Sequence, residues 1–161
     1  MNKSLKFILG NLEEIIASIF IIITTVLVVI NIIMRYVLNS GLVWSEEVAT
    51  GCFVWSVFIG AIAAFKHRGH VGVDIVVNML PAVPRRFVST AMDMVLVLMN
   101  GYMAYMSAVY IMTSYKKMTP VLGVSSAYIS SSVLIAFIMM TLYSVRFVWQ
   151  DIKGQEKEAA E

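Results

Sequence analysis

The stretch WSEEVATGCFVWSVFIGAIAAFK, residues 44–66, sets two carboxylates, Glu46 and Glu47, directly before eighteen uncharged residues, Val48 to Phe65, and closes on Lys66. A helix rises ~1.5 Å per residue and needs about 20 residues, with 17 or 18 sufficient, to cross roughly 30 Å of hydrocarbon. The stretch therefore predicts a membrane-crossing helix with an acidic start and a basic end. Working outward, three further charge-free runs are long enough to do the same: 15–34, 94–115 and 118–145. Lipid offers no partner to an open backbone, so each run must be helical. The expected fold is an all-α integral membrane protein of one domain, 1–161, with four transmembrane helices over about 13–35, 46–66, 85–115 and 122–147.

Composition agrees. The chain is 60% hydrophobic and 14% charged, with a mean hydropathy of +0.84, outside the range of soluble globular domains. The longest polar connections, 66–86 and the tail after Trp149, are too short to bury a core. The first run follows Lys3 and Lys6 as a signal peptide would, but its 20 residues and the lack of a small-residue cleavage pattern predict a retained anchor. Cys52 is the one cysteine, which excludes an internal disulfide or a CxxC centre and leaves it the role of a small packing residue. Membrane lipids are expected neighbours, and no nucleic acid is.

Charge sets the threading. Nine of the twelve Lys and Arg lie at the N-terminus (Lys3, Lys6), in the second connection (Lys66, Arg68, Arg85, Arg86) and in the tail (Arg146, Lys153, Lys157), against Arg35, Lys116 and Lys117 elsewhere. By the positive-inside rule both termini are expected in the cytoplasm. Tyr36, Trp44, Tyr115, Tyr143 and Trp149 fall near span ends, where amphipathic rings suit the headgroup layer.

The second connection reads KHRGHVGVDIVVNMLPAVPRR, residues 66–86. Val73, Val76, Val77 and Leu80 fall at i, i+3, i+4 and i+7, predicting a short interfacial helix over about 72–80 that Pro81 and Pro84 end. His67, His70 and Asp74 are too few donors in a basic loop to predict a metal site, so no metal or other cofactor is expected.

Within the spans, association in lipid depends on small residues and a few interhelical hydrogen bonds. Asp93, Asn100, Ser107 and Ser114 recur every seven residues, as do Ala17, Thr24 and Asn31, while Ala49, Cys52, Ser56, Gly60 and Ala63 follow helical spacing beside bulky Trp44, Trp55 and Phe58. These are expected helix-packing seams. Asp93 is the one ionisable residue close to a span interior, and its place beside Arg85 and Arg86 suggests a structural or ion-pair role. Capping gives a local account of the acid pairs: Ser45 has N-cap chemistry before Glu46 and Glu47, and Asn11 with Glu14 has capping-box spacing. Acids in a first turn also interact favourably with the helix dipole.

MRY at 34–36, WSEE at 44–47, FVWSVFIGA at 53–61 and HVGVD at 70–74 together resemble the small, DctQ-type membrane subunit of tripartite ATP-independent periplasmic (TRAP) transporters. The motifs cover the first half of the chain; the second half matches in topology. The resemblance implies a bacterial inner-membrane protein that is no enzyme, paired with a large TRAP membrane subunit and a periplasmic substrate-binding protein. Sodium ions and substrate would be handled by the large partner, and this chain would be its scaffold. The cargo class it implies is carboxylated organic acids: C4-dicarboxylates, keto acids or sialic acid, with a lean to the sialic acid branch. Arg35, Tyr36, Trp44, Glu46, Glu47, Trp55, Gly60, His70 and Asp74 become candidate interface or anchoring residues, with Asp93, Asn100 and Ser107 as the packing stripe. In this reading Glu47 faces the large subunit or pairs with Arg35, and Glu46 points elsewhere. The alternative is a self-contained, proton-coupled exporter acting as a homodimer, for which Asp93 would have to serve as the coupling acid. A quinone-type redox protein would need cysteine pairs or in-helix histidines, which the sequence lacks.

Overall fold

The computed structural model describes residues 11–66 and 82–158. They form four helices: α1 (Leu12–Val37), α2 (Val43–Lys66), α3 (Ala82–Ser114) and α4 (Ala127–Glu158). All four are long and apolar enough to cross a membrane, the crossing parts being Leu12–Val37, Val43–Lys66, Thr90–Ser114 and Ala127–Gln150. The interfacial segment expected over 72–80, with His70 and Asp74, lies outside the described residues.

Helix ends differ from the capping expected above. Asn11 stands at the N-cap of α1 but makes no side-chain cap hydrogen bond. α2 begins at Val43, two residues before Ser45, so the Ser45 hydroxyl sits inside the first turn and donates to Leu42 O at 2.7 Å. The donor end of α2 is met from the neighbouring helix: Leu42 N–H donates to Asn31 Oδ1 at 2.9 Å. α1 closes where Leu38 and Ser40 N–H both reach Met34 O, with Asn39 at φ 48°, a left-handed conformation that asparagine tolerates. The five residues between the helices fold α2 back along α1 as an antiparallel neighbour.

The fourth helix starts at Ala127, later than about 122, because 117–126 form a tight turn. Thr119 N–H donates to Val124 O, Ser126 N–H to Lys117 O, and Gly123 takes φ +63°. Of the other amides, Val124 N–H donates to Thr119 Oγ1, and Gly123 N–H returns to Thr119 O in a single helix-like turn that goes no further.

Packing follows small residues. On the α1–α2 seam, Ser56 Oγ donates to Ala17 O at 3.0 Å, and Thr24 Oγ1 lies 3.4 Å from Ala49 O. Ala49, Gly51, Cys52, Ser56 and Ala63 of α2 are buried, which lets backbones approach. Between α2 and α4, Ile62, Ala136 and Met140 form a core flanked by Phe58, Phe65, Phe137 and Tyr143. Between α3 and α4, the amide of Asn100 lies 3.5 Å from Ser144 Oγ, both buried. The extensive contacts are α1 with α2, α2 with α4 and α4 with α3. The helices therefore stand in an open row, α1–α2–α4–α3, with α1 and α3 at its ends.

Candidate functional site

The acids at 46 and 47 point to different neighbours. Glu46 Oε1 accepts from Asn31 Nδ2 at 3.2 Å and lies 3.8 Å from the Arg35 guanidinium. Both charged side chains are over 60% exposed (68% and 61%), so this is a loose surface pair. The partner of Arg35 is thus Glu46 and not Glu47, because Asn31, one turn before Arg35, already draws the Glu46 carboxylate to that side. Glu47 faces the opposite way. Its Oε2 accepts from the backbone N–H groups of Val121 at 3.2 Å and Leu122 at 2.9 Å, which cross-links the start of α2 to the turn between α3 and α4. Two successive N–H groups aimed at one carboxylate oxygen make a small anion-binding concavity. The other oxygen, Oε1, is buried without a hydrogen-bond partner among the described residues.

A second carboxylate clamp joins the helices at their opposite ends. Lys66 Nζ donates to Glu13 Oε2 at 2.9 Å, and Tyr143 Oη donates to Glu13 Oε1 at 2.8 Å. One residue each from α1, α2 and α4 meet here, and the two charged side chains are only 17–22% exposed. In the sequence Glu13 stands beside Glu14 at the start of the first span, Lys66 counts with the charge of the second connection, and Tyr143 with the span-end aromatics. A usable signal was present: Glu13 lies 24 residues before Val37 (37 − 13), and Lys66 lies 23 after Val43 (66 − 43), so a short hairpin brings them to one depth.

Between the clamps, aromatic rings cross three helices. Phe20 stacks on Trp55 with centroids 6.0 Å apart, and Trp55 meets Tyr128 at 6.5 Å. Gly51 makes room for that tyrosine, since a Cβ there would stand 2.9 Å from Tyr128 Oη. Gly60 has no comparable constraint, its nearest neighbour being the Ala17 Cβ at an ordinary 3.9 Å. Trp55 Nε1 is buried and unbonded among the described residues.

Of the other candidates, Tyr36 and Trp44 are exposed near helix ends. Asp93 is half-buried and engaged with a neighbour. Ser107 returns its hydroxyl to Met103 O on its own helix, and Asn100 turns into α4. Among the described residues no three His, Cys, Asp or Glu come together as a metal-binding group.

The geometry is that of a membrane protein whose polar side chains join helices. Comparison with known proteins gives the family: residues 24–154 match the one described as tripartite ATP-independent periplasmic transporters, DctQ component. The chain belongs to the DctQ family. DctQ proteins similar to it include a TRAP transporter small permease protein of Haemophilus influenzae (strain ATCC 51907 / DSM 11121 / KW20 / Rd), 26% identical over 146 residues, covering 88% of this chain and 91% of that protein. The sialic acid TRAP transporter small permease protein SiaQ of Vibrio cholerae is 22% identical, covering 94% of this chain and 87% of its own. The sialic acid TRAP transporter permease protein SiaT of Haemophilus influenzae (strain 86-028NP) is 33% identical over 86 residues, which are 53% of this chain but 14% of that much longer protein. With four spanning helices, this DctQ subunit is a multi-pass protein of the inner membrane.

Proposed function

We propose that this DctQ subunit is the stationary scaffold of a sodium-coupled, binding-protein-dependent carrier of carboxylated organic acids, with cargo and ions carried by a large TRAP permease. The observation that carries the reading is the fate of the acids. Within the described residues up to 150, Glu13, Glu14, Glu46, Glu47 and Asp93 all lie near the ends of the crossing parts and are all engaged with neighbours. A carrier coupled to an ion gradient needs an ionisable or oxygen-rich site that faces a cavity at mid-depth, and these positions do not provide one. The similarity of about half of this chain to 14% of the SiaT permease supports a small segment that works beside a larger permease part.

The cargo class is C4-dicarboxylate, keto acid or sialic acid; the relatives include a C4-dicarboxylate small permease, 36% identical over 45% of this chain, and SiaQ, 22% identical over 94% of it. The charge distribution supports both termini in the cytoplasm, with the large permease and a periplasmic binding protein as partners. Reconstitution tests the reading. Sealed vesicles holding this chain alone should accumulate no labelled organic acid under an inward sodium gradient, and vesicles holding it with the large permease and supplied with the binding protein should. Gradient-driven accumulation by this chain alone would overturn the scaffold role in favour of the homodimeric exporter.

A further inference from the structure

The exposed surfaces of the two end helices differ in kind. α1 presents branched aliphatics along its length, among them Ile19, Ile22, Val26, Val29 and Ile33. Its exposed hydroxyls are satisfied on its own backbone, Ser18 on Glu14 O and Thr25 on Ile21 O. That is a surface suited to lipid tails. α3 carries every exposed methionine found within a span among the described residues: Met92, Met94, Met99, Met103, Met106 and Met112. Between them stand Tyr102, 60% exposed, and Tyr105, 63% exposed.

Depth makes these tyrosines informative. The crossing part of α3 is Thr90–Ser114, 25 residues, so Tyr102 is its midpoint and Tyr105 lies three residues on. The headgroup layer is about 15 Å away, half of the roughly 30 Å hydrocarbon core, too far for a short rigid phenol to reach. A phenol also cannot fold back onto its own helix as serine and threonine do. Neither hydroxyl has a hydrogen-bond partner among the described residues. A polar group held in hydrocarbon without a partner is unfavourable, so this face is matched to acceptors and not to lipid. Methionine, flexible and polarisable, fits irregular protein surfaces. A groove of ≈ 590 Å³ lined by Met106, Tyr110, Thr113, Ser130 and Val133 opens alongside.

We infer that the outward face of α3, centred on Leu98, Tyr102, Tyr105 and Met112, receives a transmembrane helix of the large permease whose polar groups accept from the two tyrosine hydroxyls. The assignment rests on the scaffold reading above and adds where the partner sits. Complementarity names the occupant's chemistry: a helix bearing carbonyl, hydroxyl or amide acceptors at mid-depth. Its length follows from the face, which runs the whole 25-residue crossing, about 38 Å at ~1.5 Å per residue.

The test is photo-crosslinking in the intact complex, with benzoylphenylalanine replacing Tyr102, Tyr105 or, as control on α1, Ile22. Adducts with the large permease from positions 102 and 105 and not from 22 are expected. Adducts from 22 alone, adducts between two copies of this chain at 102 or 105, or none from α3 in a complex that co-purifies would each overturn the α3 assignment and leave the scaffold reading standing. Absence of any large permease from the purified material would instead overturn the scaffold reading. In parallel, Tyr102→Phe and Tyr105→Phe keep the rings and remove the hydroxyls. Each should weaken association with the permease about threefold, the usual effect of one interhelical hydrogen bond in a membrane, while the thermal unfolding of the isolated chain stays unchanged. Unchanged association in the double variant would refute the hydroxyl contacts.

Discussion

At Gly51 a Cβ would stand too close to Tyr128, 2.9 Å from its Oη, and at Gly60 the same atom would meet only ordinary contact. The two glycines therefore respond oppositely to alanine. Gly51→Ala should destabilise the chain by about 1–3 kcal/mol of overpacking, partly offset by the ~1 kcal/mol that alanine gains over glycine in a helix. Gly60→Ala should be neutral or stabilising. Unfolding in detergent, followed by circular dichroism, checks both, and equal losses would contradict the geometry. Glu47 makes a different prediction. Glu47→Ala should speed hydrogen exchange at the Val121 and Leu122 amides, and Glu47→Gln, which keeps an acceptor without the charge, should do so less. The sequence singled out Glu47 but could not reveal its partners. They are backbone donors 74 and 75 residues away, and a backbone N–H leaves no mark on residue type. Arg35 was legible as a pairing residue; which acid it meets depends on Asn31, whose side chain serves both Glu46 and Leu42.

For the helices, the clamp at Glu13 joins α1, α2 and α4 through one carboxylate. Removing Lys66 leaves a largely enclosed acid that keeps Tyr143 but loses its cation, so Lys66→Met should cost about 1–3 kcal/mol, below the range for fully buried pairs because both ends keep some exposure. Combining it with Glu13→Gln should recover much of that loss. A double-mutant cycle in detergent measures the coupling, and simple additivity would mean that the pair contributes nothing of its own. Helix existence was legible at this scale, because length and hydropathy are local properties of a charge-free run. Helix starts were less so. Ser45 has the chemistry of a cap, yet α2 begins two residues earlier, where Asn31 of the preceding helix supplies the acceptor. A cap provided across a tertiary contact cannot be read from local sequence.

For the molecule as a whole, the four spans and the family were within reach of the sequence, and the lateral order of the helices was not. Chain order suggests α1–α2–α3–α4, but the contacts give α1–α2–α4–α3, because α2 carries small residues toward α1 and the Ile62 cluster toward α4. Threading direction is testable through the single, buried Cys52, which leaves little labelling background. Met118→Cys, exposed in the turn after α3, should react with an impermeant maleimide added outside intact spheroplasts, and labelling only after lysis would reverse the orientation. The open row has one more consequence. A ring of helices encloses a lumen, whereas the described helices form a palisade with two sides, and under the proposed scaffold role cargo that crosses the bilayer in its company travels past it.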